Sequence, residues 1–244
     1  MQPPIIILLA FFRELILLEL NKLFISSSRI SLGATPNLRA FSEINSFEPI
    51  LLSIQNNSER ISIVSQERIT NELFKILGTD RPSIGLNILQ QSGLMEYVFP
   101  EISIMYGLDQ SNEYHHKDIF YHTLEVVDNA AKLSNNVDLR LAALVHDIAK
   151  PKTRRLSKSK GYTFYGHDDV GARMLKGVAE SMKFSNSTRD FITKLTALHL
   201  RPISLAKKEV TDSAIRRLIV DAGEEIDDLM TLCRAAVSYT HLRA

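Results

Sequence analysis

The chain has a single cysteine, Cys233, in 244 residues and no Cys-x-x-Cys pair. That excludes an internal disulfide framework and a zinc knuckle, and it points to a reducing, cytoplasmic setting. Net charge is equally scarce: 29 Lys and Arg against 28 Asp and Glu leave a formal +1, so no whole-molecule field draws the chain to a polyanion. Any such contact has to come from local clustering. Long apolar runs are also missing. The stretch from Met1 to Leu20 is greasy, but it has no basic leader, and Arg13, Glu14 and Glu19 cut its apolar run well below the ~20 residues a membrane span needs. It is expected to be a helix packed on the body, with a membrane anchor as the lesser alternative; no membrane partner is expected.

What remains is ordinary globular composition, with 45% hydrophobic residues and no internal repeat. Residues 25–58 are rich in Ser and Asn and hold Gly33, Pro36 and Pro49, which marks a connector with short helices. From Ser65 helical spacing takes over. Ser65 is a cap for a helix through Leu77 with Gly78 beyond it, Pro82 opens a second that Gly93 ends, and Pro100 breaks a short turn over 94–102. A helix running to about Leu133 sets Ile119, Val126, Val127, Ala130 and Leu133 inward, and His122 falls on that same face.

The organising stretch is Leu139 to Pro151. Apolar residues at 139, 141, 142, 144, 145 and 148 predict a helix buried on most sides, with Asp138 as its cap and Pro151 as its stop. Into it the sequence sets His146, Asp147 and Lys150, whose burial would cost several kcal/mol each without compensation. A metal ion with a phosphate would supply that compensation. Next comes a small β-hairpin, Thr153–Leu156 against Tyr162–Tyr165. No acidic residue lies between Asp147 and Asp168, while Lys150, Lys152, Arg154, Arg155, Lys158 and Lys160 are basic and Tyr162, Phe164 and Tyr165 are able to stack on bases. Without an anion site nearby, solvated charge on an exposed hairpin is the simpler account.

Further helices follow: His167 to about Phe184, one capped by Asn186 or Ser187 and ending at Arg201-Pro202, one from Thr211 or Asp212 through Ile215, Leu218 and Ile219 to Gly223, and a last from Glu224 to about Val237 with Ile226, Leu229, Met230 and Cys233 inward. Four histidines, His122, His146, His167 and His199, sit at the ends or inner faces of these helices. Singly, each is more often a hydrogen-bonded histidine than a ligand. Together with Asp147 they form an ordered imidazole and carboxylate series suited to Mn, Fe, Zn or Mg.

His146-Asp147 with the earlier His122 resembles the signature of the HD superfamily of metal-dependent phosphohydrolases. The runs Lys117-Asp-Ile-Phe-Tyr-His122-Thr-Leu-Glu-Val, His146-Asp-Ile-Ala-Lys-Pro, Gly166-His-Asp-Asp-Val-Gly-Ala, His199-Leu-Arg-Pro and Val210-Thr-Asp-Ser-Ala-Ile-Arg-Arg are similar to the HD-bearing C-terminal part of bacterial CCA-adding tRNA nucleotidyltransferases and poly(A) polymerase-like proteins. The likeness extends from about Glu59 to Ala235. It implies an all-α fold: an HD-domain helical bundle over 111–235, a helical, RNA-binding neck over 59–110 and one small β-hairpin. Residues 1–58 are then an N-terminal helix and connector. The tail 236–244 and the first forty or so residues look foreign to the family, as in a truncated gene.

The resemblance further implies that His122, His146 and Asp147 bind a first divalent metal (Mn, Mg, Ni, Fe or Zn), with Asp147 bridging to a second held by His167 and His199. Asp147 and Lys150 would be catalytic, and Lys117, Lys150, Arg154 and Arg201 would bind substrate phosphate. The implied activity is phosphohydrolase or phosphodiesterase action in tRNA 3′-end processing, on a tRNA or other RNA 3′ end or a nucleotide phosphate ester. The glycine-rich turn and Asp-x-Asp pair of the family's nucleotidyltransferase head do not occur in this sequence, so nucleotide addition is not expected of it. Where the family continues its last helix with an aspartate that completes the first metal site, this chain has Ala236, and Asp212, Asp221 and Asp228 are the candidates to replace it. The alternatives are a non-catalytic RNA-binding fragment and a free-standing signalling-nucleotide phosphodiesterase.

Overall fold

The computed structural model describes residues 51–237 except 53, 110–117, 158–160 and 207–209. The expected N-terminal helix, most of the connector, Lys117 and the tail from 238 lie outside the described residues. After a 3-10 turn at Ser58–Ile63, α1 (Gln66–Leu77) buries Ile69, Thr70, Leu73 and Leu77, spaced one, three and four apart as an inward stripe requires. α2 (Pro82–Gln91) begins on Pro82, whose fixed φ and missing N–H are harmless in a first turn. Two four-residue helices, α3 (Met95–Val98) and α4 (Pro100–Ser103), follow, and Pro100 starts the second.

α5 (Ile119–Leu133) is started by Asp118, whose carboxylate accepts the N–H of Phe120 at 2.9 Å and of Tyr121 at 3.2 Å. The central helix, α6 (Val137–Val145), buries every residue from Leu139 to Val145, including Arg140. Its ends differ from expectation. Asn136, two residues before Asp138, has the extended backbone a cap requires, and its Oδ1 accepts the N–H of Asp138 (3.0 Å) and Leu139 (3.4 Å). Asp138 is inside the first turn and accepts from Thr188 Oγ1. The helix also ends before Pro151, at Val145; Pro151 lies instead in the first turn of the short α7 (Lys150–Thr153), where it is tolerated.

The hairpin is present, with β1 (Arg155–Ser157) antiparallel to β2 (Gly161–Thr163) and Leu156 opposite Tyr162. Then come α8 (His167–Ser181), α9 (Asn186–Leu198), α10 (Leu200–Ala206), α11 (Asp212–Ala222) and α12 (Ile226–Val237). The hydroxyl of Ser185, not Asn186 or Ser187, caps α9 by accepting the N–H of Thr188. The chain does not stop at Arg201-Pro202, because Pro202 falls in the first turn of α10. Leu133, Ile215, Ile219 and Met230, all expected inside, are 51%, 44%, 51% and 40% exposed. On α11 only Leu218 and Ala222, one turn apart, are buried, so the covered stripe is narrower than the apolar one.

Among the described residues the fold is helical apart from the hairpin. A single core joins α1–α4 to α5, α6, α8, α9 and the end of α12, and a smaller cluster of Leu198, Leu218, Ala222, Leu229 and Cys233 lies beside it. Arg140 fastens two of these parts. Its guanidinium, 3% exposed, donates to the carbonyls of Leu77 (2.8 Å) and Thr79 (2.9 Å) beyond α1 and of Ser134 (3.0 Å) beyond α5.

Candidate metal centre

α6 carries His146 and Asp147 to the turn at its C-terminal end, where the backbone closes from Ile148 N–H to Val145 O (3.0 Å) and from Lys150 N–H to Asp147 O (2.9 Å). His122 arrives from the first turn of α5, His167 opens α8, and His199 follows the last residue of α9. α8 and α9 approach closely because Gly171 has no side chain: a β-carbon there would stand 3.0 Å from Thr196 Cγ2 and 3.5 Å from Ile148 Cγ2.

All four imidazoles face the one carboxylate. Asp147 Oδ2 lies 3.1 Å from His146 Nε2 and 3.8 Å from His122 Nε2; Oδ1 lies 3.1 Å from His167 Nε2 and 3.9 Å from His199 Nε2. Two ligand triads result, His122–His146–Asp147 and Asp147–His167–His199, each with its donor atoms within 4.8 Å of one another. Lys150 Nζ also reaches Oδ2, at 2.7 Å. Apart from His122, which is partly exposed, the triad residues are buried.

Local backbone contacts fix the ring orientation. His146, His167 and His199 each place Nδ1 on the carbonyl three residues earlier, that of Ala143 (2.8 Å), Phe164 (2.8 Å) and Thr196 (2.7 Å). A carbonyl only accepts, so each Nδ1 carries a proton and each ring turns its Nε2 inward, as a lone pair where the ring is neutral and as an N–H where it donates to Asp147. The Nε2 atoms face carboxylate oxygens, and those of His167 and His199 stand 3.3 Å apart. Lone pairs at that separation repel unless a proton or a metal cation sits among them, and the imidazole and carboxylate donor set fits a divalent cation.

Burial is the largest single influence on Asp147 and would raise its pKa, but the charges of His146 and Lys150 and hydrogen bonds from His146 and His167 outweigh it and hold the carboxyl well below the usual range. His167 is also pushed down by burial, yet its hydrogen bond and attraction to Asp147 prevail and raise it. His199 is lowered to about 3, by burial first and then by the neighbouring His146. The same carboxylate thus supports a proton on one ring of a triad while the other stays neutral.

The remaining expected residues are placed unequally. Lys150 is at the cluster, with Nζ 5.5 Å from the centroid of the Phe164 ring. Arg154, one turn on, stacks its guanidinium 3.6 Å over the Tyr162 ring and donates through Nη2 to Asp109 O at 2.9 Å. Arg201 is exposed, paired with Asp221, and is not joined to either triad. Among the described residues, neither triad includes Asp212, Asp221 or Asp228, and Ala236 packs on the main core. Phe164 was overlooked in the sequence as anything but a stacking ring; its position three before His167 is the signal that its carbonyl orients that imidazole.

Two known families match parts of the chain. Residues 119–229 match the HD domain, and residues 48–105 match the family described as the probable RNA and SrmB-binding site of polymerase A. The chain thus carries an HD domain, with the segment that matches the polymerase A family ahead of it. Over this region its relatives are CCA-adding tRNA nucleotidyltransferases. It is 30% identical over 177 residues to the CC-adding tRNA nucleotidyltransferase of Thermus thermophilus, an alignment covering 71% of this chain and 39% of that protein. To the multifunctional CCA protein of Vibrio campbellii it is 29% identical over 182 residues, covering 73% of this chain and 44% of the relative, and to that of Vibrio parahaemolyticus 27% over 183 residues with the same coverage. The chain spans less than half the length of these relatives.

Proposed function

We propose that the cluster binds divalent metal and hydrolyses a phosphate ester at the 3′ end of an RNA, which the segment before residue 110 grips. The carrying observation is the pair of inward Nε2 atoms 3.3 Å apart on His167 and His199, set against a carboxylate shared with His122 and His146. His122, His146 and Asp147 would hold one ion and Asp147, His167 and His199 a second; Mn, Fe, Ni, Zn and Mg are the candidates. When bound, such ions polarise a phosphoryl oxygen and lower the pKa of water. Asp147, anchored by its neighbours, fixes the separation of the two groups of rings. Lys150 sets an ammonium at the edge of the cluster, positioned to neutralise charge growing on a phosphate. Arg154, held by Asp109 O and Tyr162, offers a second cation one turn away.

The name of the Thermus relative refers to tRNA, and the segment over 48–105 matches a family described as a probable RNA-binding site, which together make a tRNA 3′ end the substrate of choice. Among the described residues no helix is long and apolar enough to cross a membrane, and a cytoplasmic place is part of this reading. Hydrolysis alone is assigned to these residues, not nucleotide addition.

The test is turnover of a 2′,3′-cyclic nucleotide by the full chain loaded with Mn, Ni or Mg. Hydrolysis that disappears in His146→Ala supports the reading; hydrolysis that survives it removes the reading. Ala236, where the resemblance calls for an aspartate, favours a second reading, a non-catalytic RNA-binding body. Metal content after dialysis separates the two, because stoichiometric retention contradicts the second.

A further inference from the structure

The hairpin beside the cluster carries one continuous basic and aromatic face. In an antiparallel pair, directly opposed residues share a side of the sheet and alternate residues of one strand do too. Leu156 opposes Tyr162, so both lie on one side. The alternation extends that side to Arg154 just before β1 and to Phe164 just after β2, and two contacts confirm it: Arg154 stacks on Tyr162 at 3.6 Å and Lys150 lies 5.5 Å over Phe164.

This face begins at the metal cluster. Lys150 touches Asp147, and the Phe164 carbonyl orients His167. It continues through the Arg154–Tyr162 stack to Leu156, an apolar side chain left 74% exposed. Arg154 is held in place on this face, its Nη2 donating to Asp109 O and its guanidinium stacked on Tyr162. The stretch between Asp147 and Asp168 has six basic residues and no acidic one. Fixed cations alternating with rings are the surface that a single nucleic acid strand recognises, its phosphates on the cations and its bases on the rings.

The geometry points to this face as the track for a single-stranded RNA end, with the nucleotides preceding the terminal phosphate lying along Phe164, Arg154, Tyr162 and Leu156 while that phosphate reaches Lys150. The inference rests on the hydrolytic reading for what happens at the end of the track, but not for the binding itself. It makes the substrate class an oligonucleotide terminus rather than a free nucleotide, because a mononucleotide fills only the inner end.

The experiment is fluorescence anisotropy of a labelled single-stranded oligoribonucleotide bearing a 2′,3′-cyclic phosphate, with the full chain, beside a duplex of the same sequence and a free cyclic nucleotide. Tyr162→Ala is expected to weaken the single strand about 10-fold, the loss of one stacked base, and Tyr162→Phe to restore it. Arg154→Gln is expected to lower the salt dependence by about one phosphate contact. Leu156→Asp serves as the second variant, since it reverses the face at an exposed position without touching the core, and thermal unfolding checks that the chain remains folded. Wild-type affinity in both Tyr162→Ala and Leu156→Asp overturns the inference, as does an equal loss for duplex and free nucleotide. A track that binds in a protein that hydrolyses nothing upholds this inference and removes the hydrolytic reading; hydrolysis with no effect of the hairpin variants does the reverse.

Discussion

Arg140 in the central helix and Asp147 in the turn at its end are both buried charges, and their surroundings could hardly differ more. Arg140 donates to carbonyls on three sides, each partner neutral and each placed to accept. Asp147 is approached by four imidazoles and an ammonium, and three of those rings are held by Nδ1 on backbone carbonyls so that Nε2 turns toward it. A buried charge satisfied by neutral carbonyls is scaffold; one crowded by inward imidazole nitrogens is a place suited to a cation. The difference separates support from chemistry within a single helix and its end.

The largest effect should come from Asp147→Ala, which removes the atom set shared by both triads. Metal measured after dialysis is expected to fall to background, and hydrolysis with it. Retention of full metal would show that the rings hold their ions without the carboxylate and would erase the contrast with Arg140. Arg140→Met should do the opposite. It leaves the buried Leu77 carbonyl and the half-buried Thr79 carbonyl without their donor and lowers stability by about 3 kcal/mol in urea unfolding, while metal content per folded molecule stays at the wild-type value.

The acid and alkaline limbs of stability sharpen the same contrast in the metal-free protein. His199 is held neutral down to about 3 against an ordinary 6.5, so below pH 6.5 the unfolded chain takes a proton that the folded one refuses. Stability therefore falls as the pH drops below 6.5, at up to about 1.4 kcal/mol per pH unit for that one proton. His167 is raised, so its contribution is fully present below 6.5 and is lost as the pH rises through its higher folded value. Asp147, held low, loses its contribution only in strong acid, below 3.8. A maximum near pH 6.5 is expected by thermal unfolding, and His199→Gln should flatten its acid limb. A curve unchanged by that variant would mean His199 is not held neutral.

Much of this arrangement could be read from local spacing. Ser65 and Pro82 mark helix starts because the N-cap position and proline geometry depend on adjacent residues alone, whereas Pro100, expected to break a turn, opens a short helix of its own. The choice between Asn136 and Asp138 could not be read, since both are good caps and only the path of the chain selects the extended one. Arg140 in an apolar helix looks like a solvent-facing charge; the carbonyls that receive it come from about sixty residues earlier, a distance no periodicity sees. Ile215 and Ile219 failed for the related reason that an apolar stripe does not say how wide its covering neighbour is. At the cluster, the ordered series of His122, His146, Asp147, His167 and His199 was visible as residue types. The three carbonyl contacts that aim the rings are turn geometry, visible only as the recurring interval of three residues.

The smallest effect on stability, and the finest probe of the cluster, should come from Gly171→Ala. Alanine favours a helix over glycine by about 1 kcal/mol, while a β-carbon 3.0 Å from Thr196 Cγ2 must push α8 and α9 apart by a few tenths of an ångström. The two terms oppose, and unfolding should shift by about 1 kcal/mol or less. Metal affinity has no such offset. His167 begins α8 and His199 ends α9, so the same displacement acts on the 3.3 Å separation of their Nε2 atoms, and metal titration should show weaker binding at the Asp147–His167–His199 triad. His122 and His146 lie on α5 and the end of α6, away from that contact, and their triad should titrate as before. Equal weakening of both would mean that Asp147 transmits the shift, and the two triads would then be one site rather than two.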